Sequence, residues 1–389
     1  MYSSQRLSSI APTIFAEISA LAYEFDAVNL GQGFPDFDGP PEIIEAARKA
    51  MADGKNQYAV SSGEPPLRRA IAEHSQRFHG MEIDPDRQVT VTSGATEAIF
   101  SALLAFIDPS DEVIVMEPYY DSYVPDITFA GGIPVPVTLR PPDFDLDLDE
   151  LRRAITPRTK AIILNTPHNP IGKVFTLTEM LGIAELCIEH NLLAIVDEVY
   201  EHIVYAPARH IRMATLPGMS ERTVTISSGG KSFSFTGWKI GWAIASPRLT
   251  ESIRKIHQYV TFATATPFQH AIATALQLDD DYFQKLADEY RERRDHLFAT
   301  LANTLLTPFL PDGSYFILCD ISKFSDTNSI DFVRRLIREH GVAAIPTQTF
   351  YLDPSRGDSL VRFCFCKRHE TLELGRTRML RAERSTIER

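Results

Sequence analysis

The chain's 389 residues exceed one ordinary domain and fit one large domain plus a smaller one. Its 44% hydrophobic and 23% charged residues are those of an ordinary globular protein with a sizeable core. A net charge of −12 argues against a general nucleic-acid binder, which needs a basic face to displace counterions from phosphates.

The polar start, residues 1–9, lacks an apolar core of the kind a secretory leader carries. No stretch approaches 18 uninterrupted apolar residues, so neither a membrane span nor a membrane partner is expected, and the default location is cytoplasmic. The four cysteines, Cys187, Cys319, Cys364 and Cys366, stand away from metal-ligand spacing, and no metal is expected. Cys364 and Cys366 share one face of an apolar run, and the plainer reading makes them small core residues in a reducing compartment.

Along the chain, short apolar runs rich in β-branched residues occupy 89–92, 113–116, 133–138, 161–164, 193–196, 223–227 and 241–245. Amphipathic stretches at 96–106, 149–154 and 178–190 lie between them and predict helices. This alternation predicts an α/β fold with a mostly parallel sheet wrapped by helices. Near-continuous apolar strands fit a sheet buried on both faces. From 283 to 301 apolar residues recur at helical spacing through a charged segment, predicting one long helix. Beyond it, strands at 314–320 and 360–366 flank a helix at 331–340, an α+β unit. The charged tail after Leu380 is expected to fray.

Four local features carry chemistry, each at a predicted strand end. Ser93-Gly94-Ala95-Thr96-Glu97-Ala98 turns a strand into a helix; its exposed amides make an anion site, or a plain helix cap. Asn165-Thr166-Pro167-His168-Asn169-Pro170-Ile171-Gly172 is held extended by its prolines and alone reads as a turn. Asp197-Glu198-Val199-Tyr200 follows a buried run, where a carboxylate needs a charged partner or caps the next turn. Ser227-Ser228-Gly229-Gly230-Lys231-Ser232 puts a lysine at a strand's carboxyl end, where open α/β folds bind ligands. A nucleotide P-loop would need glycine where Thr225 stands, which argues against that motif.

In this order and spacing, the four features resemble the class I aminotransferases of pyridoxal phosphate (PLP) fold type I. Further matching segments are Asn29-Leu30-Gly31-Gln32-Gly33-Phe34-Pro35-Asp36, Asn56-Gln57-Tyr58 and Glu117-Pro118-Tyr119-Tyr120-Asp121-Ser122-Tyr123. Gly237-Trp238-Lys239-Ile240-Gly241, Asp312-Gly313-Ser314-Tyr315-Phe316 and Val361-Arg362-Phe363-Cys364-Phe365 complete the likeness, which covers nearly the whole chain. Within the family the chain looks closest to the kynurenine transaminase, glutamine transaminase K and methionine aminotransferase branch.

The resemblance implies a large PLP domain at 46–280 with a seven-stranded, aspartate aminotransferase-like sheet. It implies a C-terminal small domain at 281–389, joined by the N-terminal segment 1–45. It makes Lys231 the Schiff-base lysine and proton carrier, Asp197 the partner of the pyridine nitrogen, and Asn169 and Tyr200 the donors to the phenolate oxygen. Tyr120, or its neighbour Tyr119, stacks on the pyridine ring. Gly94, Ala95, Thr96, Ser228 and Lys239 cradle the phosphate. Tyr58 reaches it from the partner of a homodimer, with Phe262 crossing the same interface. Arg362 grips the substrate α-carboxylate in a bidentate fork, with Gly33 and Phe34 alongside.

The implied activity moves an amino group from an amino acid to a 2-oxo acid. No second arginine is evident for a side-chain carboxylate. The aromatic Phe34, Tyr120, Tyr123 and Phe262 would favour an apolar, aromatic or sulfur-containing donor. Two departures bear on specificity: Phe262-Ala263 stands where the branch has an aromatic–His pair, and His168 stands where it usually has Asn. A cysteine-conjugate β-lyase and an N-succinyl-diaminopimelate aminotransferase are alternatives on the same scaffold. An idle PLP-binding module is disfavoured by the intact set of Lys231, Asp197 and Arg362.

Overall fold

The computed structural model describes Ser4, Leu7 and residues 13–324 and 328–387, with 382–387 as backbone only. Most of the polar 1–9 segment lies outside the described residues.

Seven strands form the central sheet in the spatial order Val89–Ser93, Ile240–Ile244, Thr223–Ser228, Leu193–Asp197, Thr159–Asn165, Glu112–Glu117 and Ile133–Thr138. Ile240–Ile244 runs antiparallel to both neighbours, and every other pairing is parallel. All seven apolar runs read from the sequence are strands of this sheet. Alternate residues serve opposite faces. Ile114, Met116, Ile162 and Val196 enter one apolar cluster, whereas Val113, Val115, Ile163 and Ile195 enter another. Burial on both faces is why these strands read as unbroken hydrophobic runs. Ile133–Thr138 lies at one edge, exposed or half-buried over its first four residues, and Pro134 and Pro136 have no N–H to offer a further strand.

Helices Gly94–Phe106, Leu148–Ala154 and Leu177–Glu189 stand where periodicity places them. The last begins with a capping box in which Thr176 and Glu179 satisfy each other's backbone N–H. Pro41–Ala52, Pro65–His79, Pro247–Val260 and Thr266–Ala275 are helices that periodicity did not mark. Each carries proline in its first two positions, which is a start signal.

After residue 279 the chain forms the long helix Asp280–Ala302, capped by Asp279, whose carboxylate accepts from the Tyr282 N–H. An antiparallel sheet follows in the order Ile345–Pro346, Leu360–Cys364, Phe316–Asp320, Thr307–Pro308. The two strands expected here are thus shorter than read, and the helix between them is Ser329–His340. The N-terminal segment packs with these elements: Val28–Asn29 pairs in parallel with Val342–Ala343. Ile14, Ile18 and Leu30 share an apolar cluster with Tyr315, Ile345 and Val361. Cys364 and Cys366 are fully buried in that cluster. The tail expected to fray after Leu380 is instead helical to Ile387, and residues 388–389 lie outside the described residues.

Candidate active site

A cavity of about 390 Å³ opens where Asn165, Asp197 and Ser228, the last residues of three parallel strands, meet residues 32–34, Phe316 and Arg362. It is lined by Gly33, Phe34, Gly94, Ala95, Thr96, Tyr120, Asn169, Asp197, Tyr200, Ser228, Lys231, Lys239 and Arg362. These are the predicted cofactor and substrate residues apart from Tyr58. Of the two neighbours, Tyr119 is buried in an apolar cluster and Tyr120 lines the cavity.

One wall is an anion cradle. Gly94 adopts φ 79° and starts a helix directly after Val89–Ser93, and Gly94, Ala95 and Thr96, whose first-turn amides lack intrahelical acceptors, line the cavity. A Cβ on Gly241 would lie 2.5 Å from the Gly94 carbonyl carbon and 2.6 Å from the Ala95 nitrogen. The reversed strand can therefore lie against this helix start only as glycine. Lys239 takes a left-handed φ of 56°, and its Nζ would sit 3.1 Å from a Cβ built on Gly94. A helix N-terminus and an ammonium aimed at one point favour a phosphate.

Asp197 forms the floor. Tyr123 Oη donates to its Oδ2 at 2.8 Å, and the Val199 N–H donates to its Oδ1 at 3.2 Å. Burial raises its pKa to about 6 despite these bonds, so the carboxylate is poised for a cationic partner. Tyr123 was expected among the aromatic residues favouring an apolar donor. It is buried, holds Asp197, and does not line the cavity.

A buried network fixes the turn after Asp197. Arg212 donates from Nε to Glu198 Oε2 at 2.9 Å and from Nη2 to Glu201 Oε2 at 2.6 Å. Ser227 Oγ donates to Glu201 Oε1 at 2.7 Å, tying the turn to the strand that ends at Ser228. Removing one member would leave a buried charge unpaired.

Lys231 is the third residue of a short helix, Gly229–Ser232, and its Nζ lies 5.7 Å from the ring centres of both Tyr200 and Tyr315. Shielding from bulk water lowers its pKa to about 8. Among the described residues no carboxylate stands within ion-pair distance of Lys231 or Lys239.

Arg362 is 2% exposed and donates from Nη1 to Asn169 Oδ1 at 2.9 Å and from Nη2 to the Gly31 carbonyl at 3.0 Å. Its buried Nε has no partner. A guanidinium has five donor hydrogens, so three remain for a carboxylate. Asn169 is placed in turn by Asn165, whose Oδ1 accepts from its N–H at 2.6 Å and whose Nδ2 donates to the Asp197 carbonyl at 3.0 Å. Tyr315 Oη donates to the Gly33 carbonyl at 2.7 Å. A Cβ on Gly33 would lie 2.6 Å from the Phe316 ring, so the backbone approach there also requires glycine.

Tyr58 and Phe262, expected across a subunit interface, stand outside this chain's own cavity and meet each other edge-on at 5.3 Å. Tyr58 is 86% exposed. His168 does not line the cavity; it is buried beside Phe175 with Nδ1 unpartnered, and burial lowers its pKa to about 3. Phe15, Gln32 and Asp121 line the cavity without having been assigned a role from sequence.

The donor set fits pyridoxal phosphate. The cradle suits its phosphate, the buried Asp197 its ring nitrogen, and the carboxylate-free Lys231 its aldehyde carbon. Arg362 keeps donors free for a substrate.

A sequence model of the family "Aminotransferase class I and II" matches residues 26–377. The chain is 41% identical to methionine aminotransferase of Escherichia coli over 367 residues, 94% of this chain and 95% of that protein. It is 40% identical to kynurenine–oxoglutarate transaminase 3 of Mus musculus over 398 aligned positions, covering 95% of this chain and 88% of the relative. The solved structure of N-succinyldiaminopimelate aminotransferase from Mycobacterium tuberculosis superposes with a TM-score of 0.94 at 46% identity. That match covers 97% of this chain and 100% of the other. The chain belongs to the class I and II aminotransferases, PLP-dependent enzymes of the aspartate aminotransferase-like fold type I.

Proposed function

We propose that this aminotransferase takes its amino group from L-amino acids with apolar, aromatic or sulfur-containing side chains and passes it to a 2-oxo acid. One observation carries the reading: the cationic residues lining the cavity are Lys231, Lys239 and Arg362. With Lys239 on the cofactor phosphate, Arg362 on the α-carboxylate and Lys231 at the reacting carbon, none remains for a side-chain carboxylate. Phe15, Phe34, Tyr120 and Phe316 offer apolar surface instead.

When bound, pyridoxal phosphate supplies a sink for the electron pair left when the donor's Cα–H bond breaks. Lys231 Nζ removes that proton and holds it for delivery, a task suited to an amine brought to about 8. Asp197 holds positive charge at the ring nitrogen. Asn169, through the Nδ2 that its bond to Arg362 leaves available, and Tyr200, through its hydroxyl, donate to the phenolate oxygen. Ala95, Thr96, Ser228 and Lys239 would hold the phosphate, and Tyr120 would supply an aromatic face for the ring. Arg362 and the Gly33 backbone orient the α-carboxylate so that the Cα–H bond faces Lys231.

We further take the molecule for a cytoplasmic homodimer in which Tyr58 and Phe262 complete the partner's site. The exposed Tyr58, Val60, Tyr259, Val260 and Phe262 support an interface. The four unpaired cysteines support a reducing setting.

The test is a spectral screen of purified holoenzyme against single amino acids, following loss of the bound cofactor's visible band. Methionine, phenylalanine and leucine are expected to bleach it at lower concentration than aspartate or glutamate. A response confined to acidic donors or to N-succinyl-diaminopimelate would overturn the reading.

A further inference from the structure

Asp121 lines the cavity, yet neither the cofactor nor the α-carboxylate gives it a task. The Thr13 hydroxyl bonds to its carboxylate, and the same Thr13 caps the helix Ile14–Glu24 by accepting from the Phe15 N–H at 3.4 Å. Phe15 also lines the cavity, and its ring centre is 5.3 Å from the Arg362 guanidinium carbon. Asp121 and Phe15, linked through Thr13, therefore line the cavity beside Arg362. Burial raises the Asp121 pKa, and the Arg362 charge opposes that rise.

We propose that Asp121 is a specificity-determining residue whose carboxylate repels donors and 2-oxo acids bearing a second carboxylate while admitting neutral side chains. The inference rests on the donor class proposed above and deepens it. Lack of a fourth cation leaves acidic donors merely unassisted; an anion in the wall excludes them actively. Two like charges a few ångströms apart in a partly dry cavity differ in energy enough for discrimination of about tenfold or more.

A plainer role is charge balance for Arg362 in the empty site. Removing the charge would then alter the affinity of every donor alike, because all carry the α-carboxylate. Discrimination between donors separates the two roles.

The experiment compares kcat/KM for methionine and glutamate in the wild-type holoenzyme, Asp121→Asn and Asp121→Glu. The amide keeps an acceptor for the Thr13 hydroxyl, and the glutamate keeps the charge. The glutamate-to-methionine ratio should rise about tenfold or more in Asp121→Asn and stay near the wild-type value in Asp121→Glu. Calorimetric binding of glutarate and pentanoate gives a second readout, with Asp121→Asn gaining affinity for the dicarboxylate alone. Asp121→Ser removes the charge in a smaller volume and gives the same comparison should the amide variant not fold. A ratio that does not move, or an equal change for both donors, overturns the role of Asp121 while methionine turnover leaves the donor class standing. No turnover of methionine by the wild type would instead sink the donor class, and this inference with it.

Discussion

Arg362 Nη1 and Asn169 Oδ1 share a 2.9 Å hydrogen bond that joins the strand Leu360–Cys364 to the turn beyond Thr159–Asn165. The residue proposed to hold substrate and a residue proposed to touch the cofactor's phenolate thus orient each other. Arg362→Lys keeps the charge and loses the planar fork, so KM for a neutral donor should rise about 10- to 100-fold. Combining it with Asn169→Ala should show a coupling of about 1 kcal/mol or more in a double-mutant cycle of kcat/KM. Strict additivity would contradict the link.

Lys231→Ala should lower kcat by about a thousandfold or more, the usual worth of a positioned acid–base group. The phosphate cradle is untouched, so PLP should still bind non-covalently. Single-turnover kinetics and absorbance of the reconstituted variant check both halves.

Asp197→Asn separates function from stability. Burial puts the Asp197 pKa at about 6, against 3.8 for an ordinary aspartate, so the fold holds that proton more tightly than the unfolded chain. Its contribution favours folding below 3.8 and is lost as pH rises through about 6. At pH 8 the cofactor-free Asn variant should exceed wild type in stability by up to about 3 kcal/mol, with the gap closing near pH 4. Its turnover should nonetheless fall severely. Urea unfolding at the two pH values and a kcat measurement test the pair.

Gly241→Ala places a methyl group 2.5 Å from the Gly94 carbonyl carbon, so the helix start must shift. A clash against backbone should cost about 2 kcal/mol or more in stability. It should also weaken PLP binding more than substrate binding, read by cofactor titration of the apoprotein alongside KM for the donor.

Burial lowers the His168 pKa to about 3 from 6.5, so the fold refuses a proton that the unfolded chain accepts. That contribution to stability is complete above pH 6.5 and drains away as pH falls toward 3. Between pH 7 and pH 4, His168→Asn should lose about 3 kcal/mol less stability than wild type. An identical acid profile in the two proteins would remove His168 as a source of acid sensitivity.

The sheet was legible because burial on both faces wrote each strand as an unbroken apolar run. The site was legible because Asp197, Ser228 and the Gly94 turn sit at strand ends within short motifs. Other parts depend on contacts that no local window contains. Arg212 reaches Ser75 across 137 positions in the chain, and Arg362 reaches Gly31 across 331. Tyr123 was counted toward substrate selection because composition says nothing about which way a ring points, and it turns instead to Asp197. The helices at Pro41, Pro65 and Pro247 were missed where periodicity was weighed above the proline at each start.

The cavity draws on the chain from Phe15 to Arg362. In chain order the residues proposed to hold the phosphate, Gly94 through Lys239, all precede the strand that carries Arg362. The anchor for the coenzyme and the grip for the donor are therefore written in separate stretches of sequence, and a change confined to one stretch leaves the residues of the other in place.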